Sequence, residues 1–158
     1  MTTPDPSHAR PAAGPKLPKY GPSITLKQAK KVAEAALAPA LANDWTMVVA
    51  IVDPGGYLVY LEKMDDTQVG SVAIAESKAR SAAIFKRPTK MFQDRLARGG
   101  DGLLVLRLKD AIPVEGGVPI IVDGRLIGAL GVSGGSSAED EVCAEAGIAA
   151  LTPDEGRK

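Results

Sequence analysis

Residue types able to do chemistry gather in three places along the chain. One is Pro113-Val-Glu-Gly-Gly-Val-Pro119, where Glu115 precedes Gly116 and Gly117 and is bracketed by prolines. Proline fixes φ and glycine admits unusual φ, so this backbone path is tightly constrained. A carboxylate held on such a loop can accept hydrogen bonds from a ligand or move a proton as a general acid/base. Another is Gly131-Val-Ser-Gly-Gly-Ser136. Gly131, Gly134 and Gly135 let backbone N–H groups converge, and Ser136 stands where a helix begins, an end that favours an anion. The last is a helical stretch with Glu76, Lys78, Arg80 and Ser81. Lys78 and Ser81 are three apart and share a face beside an alanine stripe. A lysine there either lies along apolar surface or enters a polar pocket as charge partner for an anionic ligand. Glu76 and Arg80 are four apart, the spacing of a surface ion pair.

Other chemistries lack their parts. Gly131-Val-Ser-Gly-Gly135 matches the G-x-S-x-G elbow of serine hydrolases. That machinery needs a base, and the one histidine, His8, lies far upstream in a proline-rich stretch. The glycines are followed by no Gly-Lys-Ser/Thr and do not have the dinucleotide-fingerprint spacing. Cys143 is the one cysteine, so no intrachain disulfide or cysteine-based zinc cage forms, and its place in a helix reads as buried and inert. A histidine-held metal within the domain is excluded.

The elements that must position these residues follow from local pattern. Thr25-Leu-Lys-Gln28 has capping-box spacing and opens a helix to about residue 43, with Pro39 expected to bend or split its last turn. Residues 47–52 and 57–62 read as a hairpin around Asp53-Pro-Gly-Gly56. Residues 70–85 read as a second helix with a narrow alanine face, ended by Arg87-Pro88. Residues 89–98 read as a short helix stopped by Gly99-Gly100, and 103–106 as a short strand or edge segment. Residues 118–122 and 125–132 flank Asp123-Gly124 as a second hairpin. Ser136-Ser-Ala-Glu139 opens a last helix to about residue 151. Helices interleaved with hairpins give an α+β fold on an antiparallel sheet, without the βαβ repeat of a dinucleotide-binding domain.

The 158 residues suit one domain, placed at 24–151. Residues 1–23 hold half of the prolines and read as an extended tail, or as an arm on a neighbouring subunit, and 152–158 as a frayed end. Nineteen basic residues balance nineteen acidic ones, so no global field draws the protein to nucleic acid or an anionic membrane. No apolar run reaches membrane-spanning length and no apolar leader is present, which with the lone cysteine points to a cytoplasmic protein.

Three ordered motifs carry a family resemblance. They are Val52-Asp-Pro-Gly-Gly56, Ala73-Ile-Ala-Glu-Ser-Lys-Ala-Arg-Ser-Ala-Ala-Ile-Phe-Lys-Arg-Pro-Thr-Lys90, and Pro113-Val-Glu-Gly-Gly-Val-Pro-Ile-Ile-Val-Asp-Gly124 followed by Ile127-Gly-Ala-Leu-Gly-Val-Ser-Gly134. Over residues 24–151 the chain resembles the GlcG/HbpS family, the haem-binding or haem-degrading-like domain also found at the C-terminus of some corrinoid adenosyltransferases. The resemblance implies a profilin-like fold, a homo-oligomer, and small-molecule or haem binding. It carries over to Lys78, Ser81, Arg87, Glu115, Gly116, Gly117 and Ser133.

Two functions follow as expectations. One is an oligomeric binder of a small anionic metabolite, held by Lys78, Ser81, Arg87, Gly116, Gly117, Ser133, Gly134, Gly135 and Ser136. The residues specify no resident cofactor, and the resemblance adds haem as a candidate. The other is a cofactor-independent isomerase, lyase or hydratase on a small oxo acid. There Glu115 moves the proton while Lys78 or loop N–H groups stabilise an enolate. Lys78 and Glu115 facing one pocket favours the enzyme; their separation favours the binder.

Overall fold

The computed structural model describes residues 14–151. The expectations for His8, for the start of the tail and for the end at 152–158 fall outside the described residues.

The first helix, α1 (Leu26–Ala42), starts where its capping box places it. Gln28 N–H donates to Thr25 Oγ1 at 3.2 Å, and Thr25 N–H donates to Gln28 Oε1 at 2.9 Å. Two N–H groups that the helix cannot satisfy are thereby paired. Thr25→Ala is expected to cost about 1 kcal/mol, read as a lower urea midpoint. An unchanged midpoint would mean that packing alone holds this end. The helix is not split at Pro39 but runs on to Ala42, and Asn43 closes it through bonds to Pro39 O and Ala40 O. Its buried stripe is Ala29, Val32, Ala33, Ala36, Leu37 and Ala40.

The sheet has five strands: β1 (Lys19–Tyr20), β2 (Val48–Val52), β3 (Leu58–Lys63), β4 (Gly117–Val122) and β5 (Arg125–Ser133). The pairs β2–β3, β2–β5 and β4–β5 are antiparallel. β4 lies along one side of β5, and β2 along the other, opposite residues 129–133. β1 continues that second side as a parallel pair, Lys19 with Arg125 and Tyr20 with Leu126. The segment read as an extended tail therefore joins the sheet before the first helix. Tyr20 fixes it by donating its hydroxyl to Ala83 O (3.1 Å) and Ile84 O (3.2 Å). Lys86 adds a bond to Pro18 O at 3.0 Å and lies 4.0 Å over the Tyr20 ring.

Every residue of β2 is buried, because helices cover both faces of the sheet. On one face Met47, Val49, Ile51, Leu130 and Val132 pack against α1 and against α4 (Ser137–Ala149), with Cys143 and Ala144. On the other, Val48, Ala50, Val52 and Ala129 meet the alanine stripe of α2 (Ser71–Phe85), formed by Ala75, Ala79, Ala82 and Ala83. This is the expected profilin-like α+β arrangement, a central and mainly antiparallel sheet with packed helices.

One element differs in kind. After α3 (Lys90–Ala97), residues Gly100–Arg107 form a 3₁₀ helix, where a strand or edge segment was expected at 103–106. Gly99 and Gly100, at φ of 67° and 53°, turn the chain too sharply for it to run on extended. Gly102 and Val105 are the buried residues of the turn, three apart, as a three-residue period requires. Leu103, Leu104 and Leu106 stay exposed. No helix among the described residues is long and apolar enough to cross a membrane.

Candidate functional site

The motif segments do meet in space, and they do so at two places. The first is a sealed node between α2, the end of β5, the 113–117 loop and α4. Lys78 lies three residues from Ala75 and one from Ala79, so it leaves α2 on the face turned to the sheet. Its ammonium crosses the end of β5, donating to Val132 O at 2.9 Å and to Asp140 Oδ2 at 2.7 Å. Lys78 is 1% exposed and the Asp140 side chain 4%. Asp140 sits in the first turn of α4, where a negative charge suits the helix end, and its other oxygen accepts from Gly135 N–H at 3.1 Å. Burial pushes the Asp140 carboxyl above the ordinary aspartate range, against the downward pull of Lys78 and of Gly135 N–H.

The loop around Glu115 is bound to the same node. Gly116 N–H donates to Glu141 Oε2 at 2.7 Å, and Val132 N–H donates to Gly116 O at 2.9 Å. Gly117 N–H donates to Thr89 Oγ1 at 3.0 Å, and Thr89 N–H returns to Gly117 O at 2.9 Å. A Cβ on Gly116 would stand 3.0 Å from the Lys78 ammonium, so the glycine is what allows the loop to close over the ion pair. Burial raises the Glu141 carboxyl, partly offset by Gly116 N–H, while the neighbouring Glu115 raises it further.

This placement corrects the expected anion site. Lys78 is neutralised by Asp140. Gly135 N–H is taken by Asp140, and Ser136 N–H by Glu139 Oε2 at 2.7 Å. Two of the donors that Gly131-Val-Ser-Gly-Gly-Ser136 was expected to offer a ligand, the N–H groups of Gly135 and Ser136, are thus occupied by the chain's own carboxylates. Ser81 Oγ is buried and accepts from Ile112 N–H, and Ser133 is 5% exposed at the end of β5. Arg87 donates from Nε to Phe85 O and lies 5.9 Å over the Phe92 ring. Glu115 does not reach Lys78. Its cationic neighbour is Lys90, at 3.9 Å, which binds Asp94 more closely at 2.8 Å.

The second meeting place is an open cleft of about 240 Å³ between the β2–β3 hairpin and the outer side of α2. Val52, Gly56 and Leu58 form one wall; Ala73, Glu76, Ser77 and Arg80 form the other. Gly56 has φ of 83°, and a Cβ there would touch Arg80 Cγ and Nη1 at 3.0 Å, so the hairpin turn leaves Arg80 room. The expected Glu76–Arg80 pair does not form. Arg80 turns to Asp110, Nη2 to Oδ2 at 3.7 Å, and donates from Nη1 to Gly55 O at 3.5 Å. Both contacts are long, and the guanidinium carries five donors. Its side chain is 40% exposed. The side chains of Glu76 and Ser77 make no hydrogen bond or ion pair among the described residues. A wider groove of about 350 Å³ runs between α1 and β3, but Glu34 and Glu62 outnumber Lys30 there, which disfavours an anion.

Sequence reasoning missed Asp140 and Ser77, and it misread Glu76 and Arg80. Asp140 carried no visible signal beyond its place just after a capping box, and its partner lies 62 residues away.

A family model described as "Haem degrading protein HbpS-like" matches residues 24–149. The chain belongs to the HbpS-like family. Among its relatives, Protein GlcG of Escherichia coli (strain K12) is 36% identical over 110 residues, 70% of this chain and 81% of GlcG. The crystal structure of HbpS superposes with a TM-score of 0.76 at 30% identity, covering 89% of this chain and 98% of that one. PduOC, solved as a complex with heme, gives 0.74 at 30% identity, over 82% and 96%. The HbpS-like fold thus accounts for the sheet, its helices and the three motifs, and small-molecule binding is a role of this family.

Among the described residues, neither cavity offers a haem an axial histidine, methionine or cysteine. The described residues include no histidine. Cys143 is buried in the core, and burial, with the nearby Asp140 charge, pushes its thiol up to about 11. No methionine or cysteine lines either cavity, and Tyr60, in the wider one, gives its hydroxyl to Glu62 at 2.9 Å. Among the described residues no group of histidine, cysteine and carboxylates could hold a metal ion.

Proposed function

We propose that this HbpS-like protein binds a small metabolite through an anionic group, a carboxylate, in the cleft between the β2–β3 hairpin and α2. The observation that carries the reading is Arg80. It is the one cation lining the cleft among the described residues, and its contacts with Asp110 and Gly55 are long enough to yield to a carboxylate that takes the guanidinium fork bidentately. The cleft volume suits a small metabolite and is too small to enclose a haem macrocycle. In this reading Lys78, Gly116, Gly117, Ser133, Gly134, Gly135 and Ser136 build the wall and the helix end behind the site. The homo-oligomer implied by the family resemblance has an apolar face available on the 3₁₀ turn, at Leu103, Leu104 and Leu106.

The separation of Lys78 from Glu115 supports binding over acid/base catalysis. A proton-moving carboxylate needs a nearby group to stabilise the enolate, and the ammonium assigned to that task is spent on Asp140.

Calorimetry against a panel of short carboxylates tests the proposal. Arg80→Met is expected to weaken carboxylate binding at least tenfold, while the thermal midpoint stays close to that of the parent, since exposed ion pairs contribute little. Equal affinity in both proteins would remove Arg80 from the site. A Soret shift on haem titration that survives in Arg80→Met would put haem elsewhere on the molecule.

A further inference from the structure

We infer that the ligand of the cleft is a zwitterion, an amino-carboxylate whose ammonium and carboxylate are separated by two or three carbons. This rests on the carboxylate reading of Arg80 and adds the second pole of the same cleft. Glu76 lines it one helical turn before Arg80 and has no cationic or hydrogen-bonding partner among the described residues. A carboxylate beside a guanidinium at i, i+4 ordinarily closes on it. Here Arg80 is drawn away by Asp110 and Gly55 O, so the two opposite charges stand apart in one half-enclosed space.

A simple anion satisfies Arg80 and repels Glu76. A simple cation does the reverse. A molecule with both charges satisfies both, and this complementarity selects the class. Spacing selects the member. The Arg80 guanidinium is turned to Asp110 and Gly55 and lies outside ion-pair distance of Glu76, so a ligand whose charged ends stand farther apart than on a single carbon reaches both heads more directly. Two or three intervening carbons bring the ends to the two heads. The ligand's methylenes then lie on Val52 and Leu58, the apolar part of the opposite wall. Ser77, on the same helix face of the cleft and with no side-chain partner among the described residues, supplies a hydroxyl that can accept from the ammonium or donate to the carboxylate.

Calorimetry with β-alanine, 3-hydroxypropionate and propionate on the full chain reads this directly. The three share a carboxylate and differ at the other end in charge and hydrogen bonding. The wild-type protein is expected to prefer β-alanine over propionate by about tenfold, the gain of a charge-assisted hydrogen bond. In Glu76→Gln the ratio of the two affinities is expected to fall toward one. Equal binding of β-alanine and propionate by the wild type overturns the zwitterion while leaving the carboxylate reading intact, provided that Arg80→Met abolishes propionate binding. Binding of 3-hydroxypropionate as tight as that of β-alanine also overturns it, because a neutral donor would then suffice. Binding of none of the three defeats both this inference and the carboxylate reading beneath it.

Discussion

Lys78→Met lowers stability by about 3–5 kcal/mol at neutral pH, the cost of leaving one member of a buried ion pair without the other. The exchange keeps much of the side-chain volume, so the loss reports the charge and its hydrogen bonds. Val132 O and Asp140 Oδ2 both lose their donor in a place that water does not reach. A small domain has roughly 5–15 kcal/mol in all, so the variant sits near the edge of folding. Urea denaturation at several pH values gives the sign of the effect. Asp140 holds its proton more tightly in the folded state than in the unfolded chain. The stability linked to that proton is present below the unfolded value, ordinarily 3.8, and is lost as pH rises through the raised folded value. Lys78 limits this loss by favouring the carboxylate. Without Lys78 the folded value climbs further, so the deficit of the variant is largest near neutrality and shrinks as the solution is acidified. A deficit that grows on acidification contradicts the assignment. Adding Asp140→Leu to Lys78→Met should restore part of the lost stability, because an apolar pair costs less there than a lone buried carboxylate. Additive losses would show that the two side chains are not coupled.

Gly131→Ala carries the second large effect, without any change in charge. β5 passes under α2 so closely that a Cβ at this position would run into the Ala75 carbonyl oxygen and stand 2.5 Å from Ala79 N. Both obstacles are helix backbone and cannot rotate away. The helix must lift, and the alanine contacts on Val48, Ala50 and Ala129 loosen together. A loss of about 3 kcal/mol, the upper range for overpacking, is expected, with a fall in thermal midpoint on the order of 10 °C. Gly70→Ala is the control. Nothing stands within 4 Å of a Cβ there, and its φ of −60° is ordinary, so the midpoint should hold or rise slightly. Similar losses at the two positions would rule out the close approach as the cause.

The backbone architecture was largely legible in the chain because its signals are local. Thr25 with Gln28, and Ser136 with Glu139, place two helix starts within one residue of those observed. Asp53-Pro-Gly-Gly56 and Asp123-Gly124 place both hairpins. The alanines of α2 announce a helix lying close on a sheet. The 3₁₀ turn was misread for a related reason. Leu103-Leu-Val-Leu106 is apolar enough for a strand, and periodicity over four residues cannot tell two from three. Among the described residues no strand lies beside it to supply the missing hydrogen bonds, and that is a fact of tertiary structure. Nor does a two-residue strand such as Lys19–Tyr20 have any pattern of its own; β5 and the carbonyls at the end of α2 make it one.

The site divides along the same line. The sequence by itself determined which segments converge, and it determined that histidine-based and nucleophilic serine chemistry have no base within the described domain. Only the tertiary structure decided what the converging residues do. Lys78 looked like a ligand's partner because its own partner, Asp140, is 62 positions away and on another helix. Glu76 and Arg80 looked like a pair because sequence spacing records neighbours on one helix and not the competing pull of Asp110 and Gly55. Charge interactions fall off with distance in space, not along the chain. A residue's type can therefore be read from the sequence, while whether its charge is spent or free is set by what the fold brings beside it.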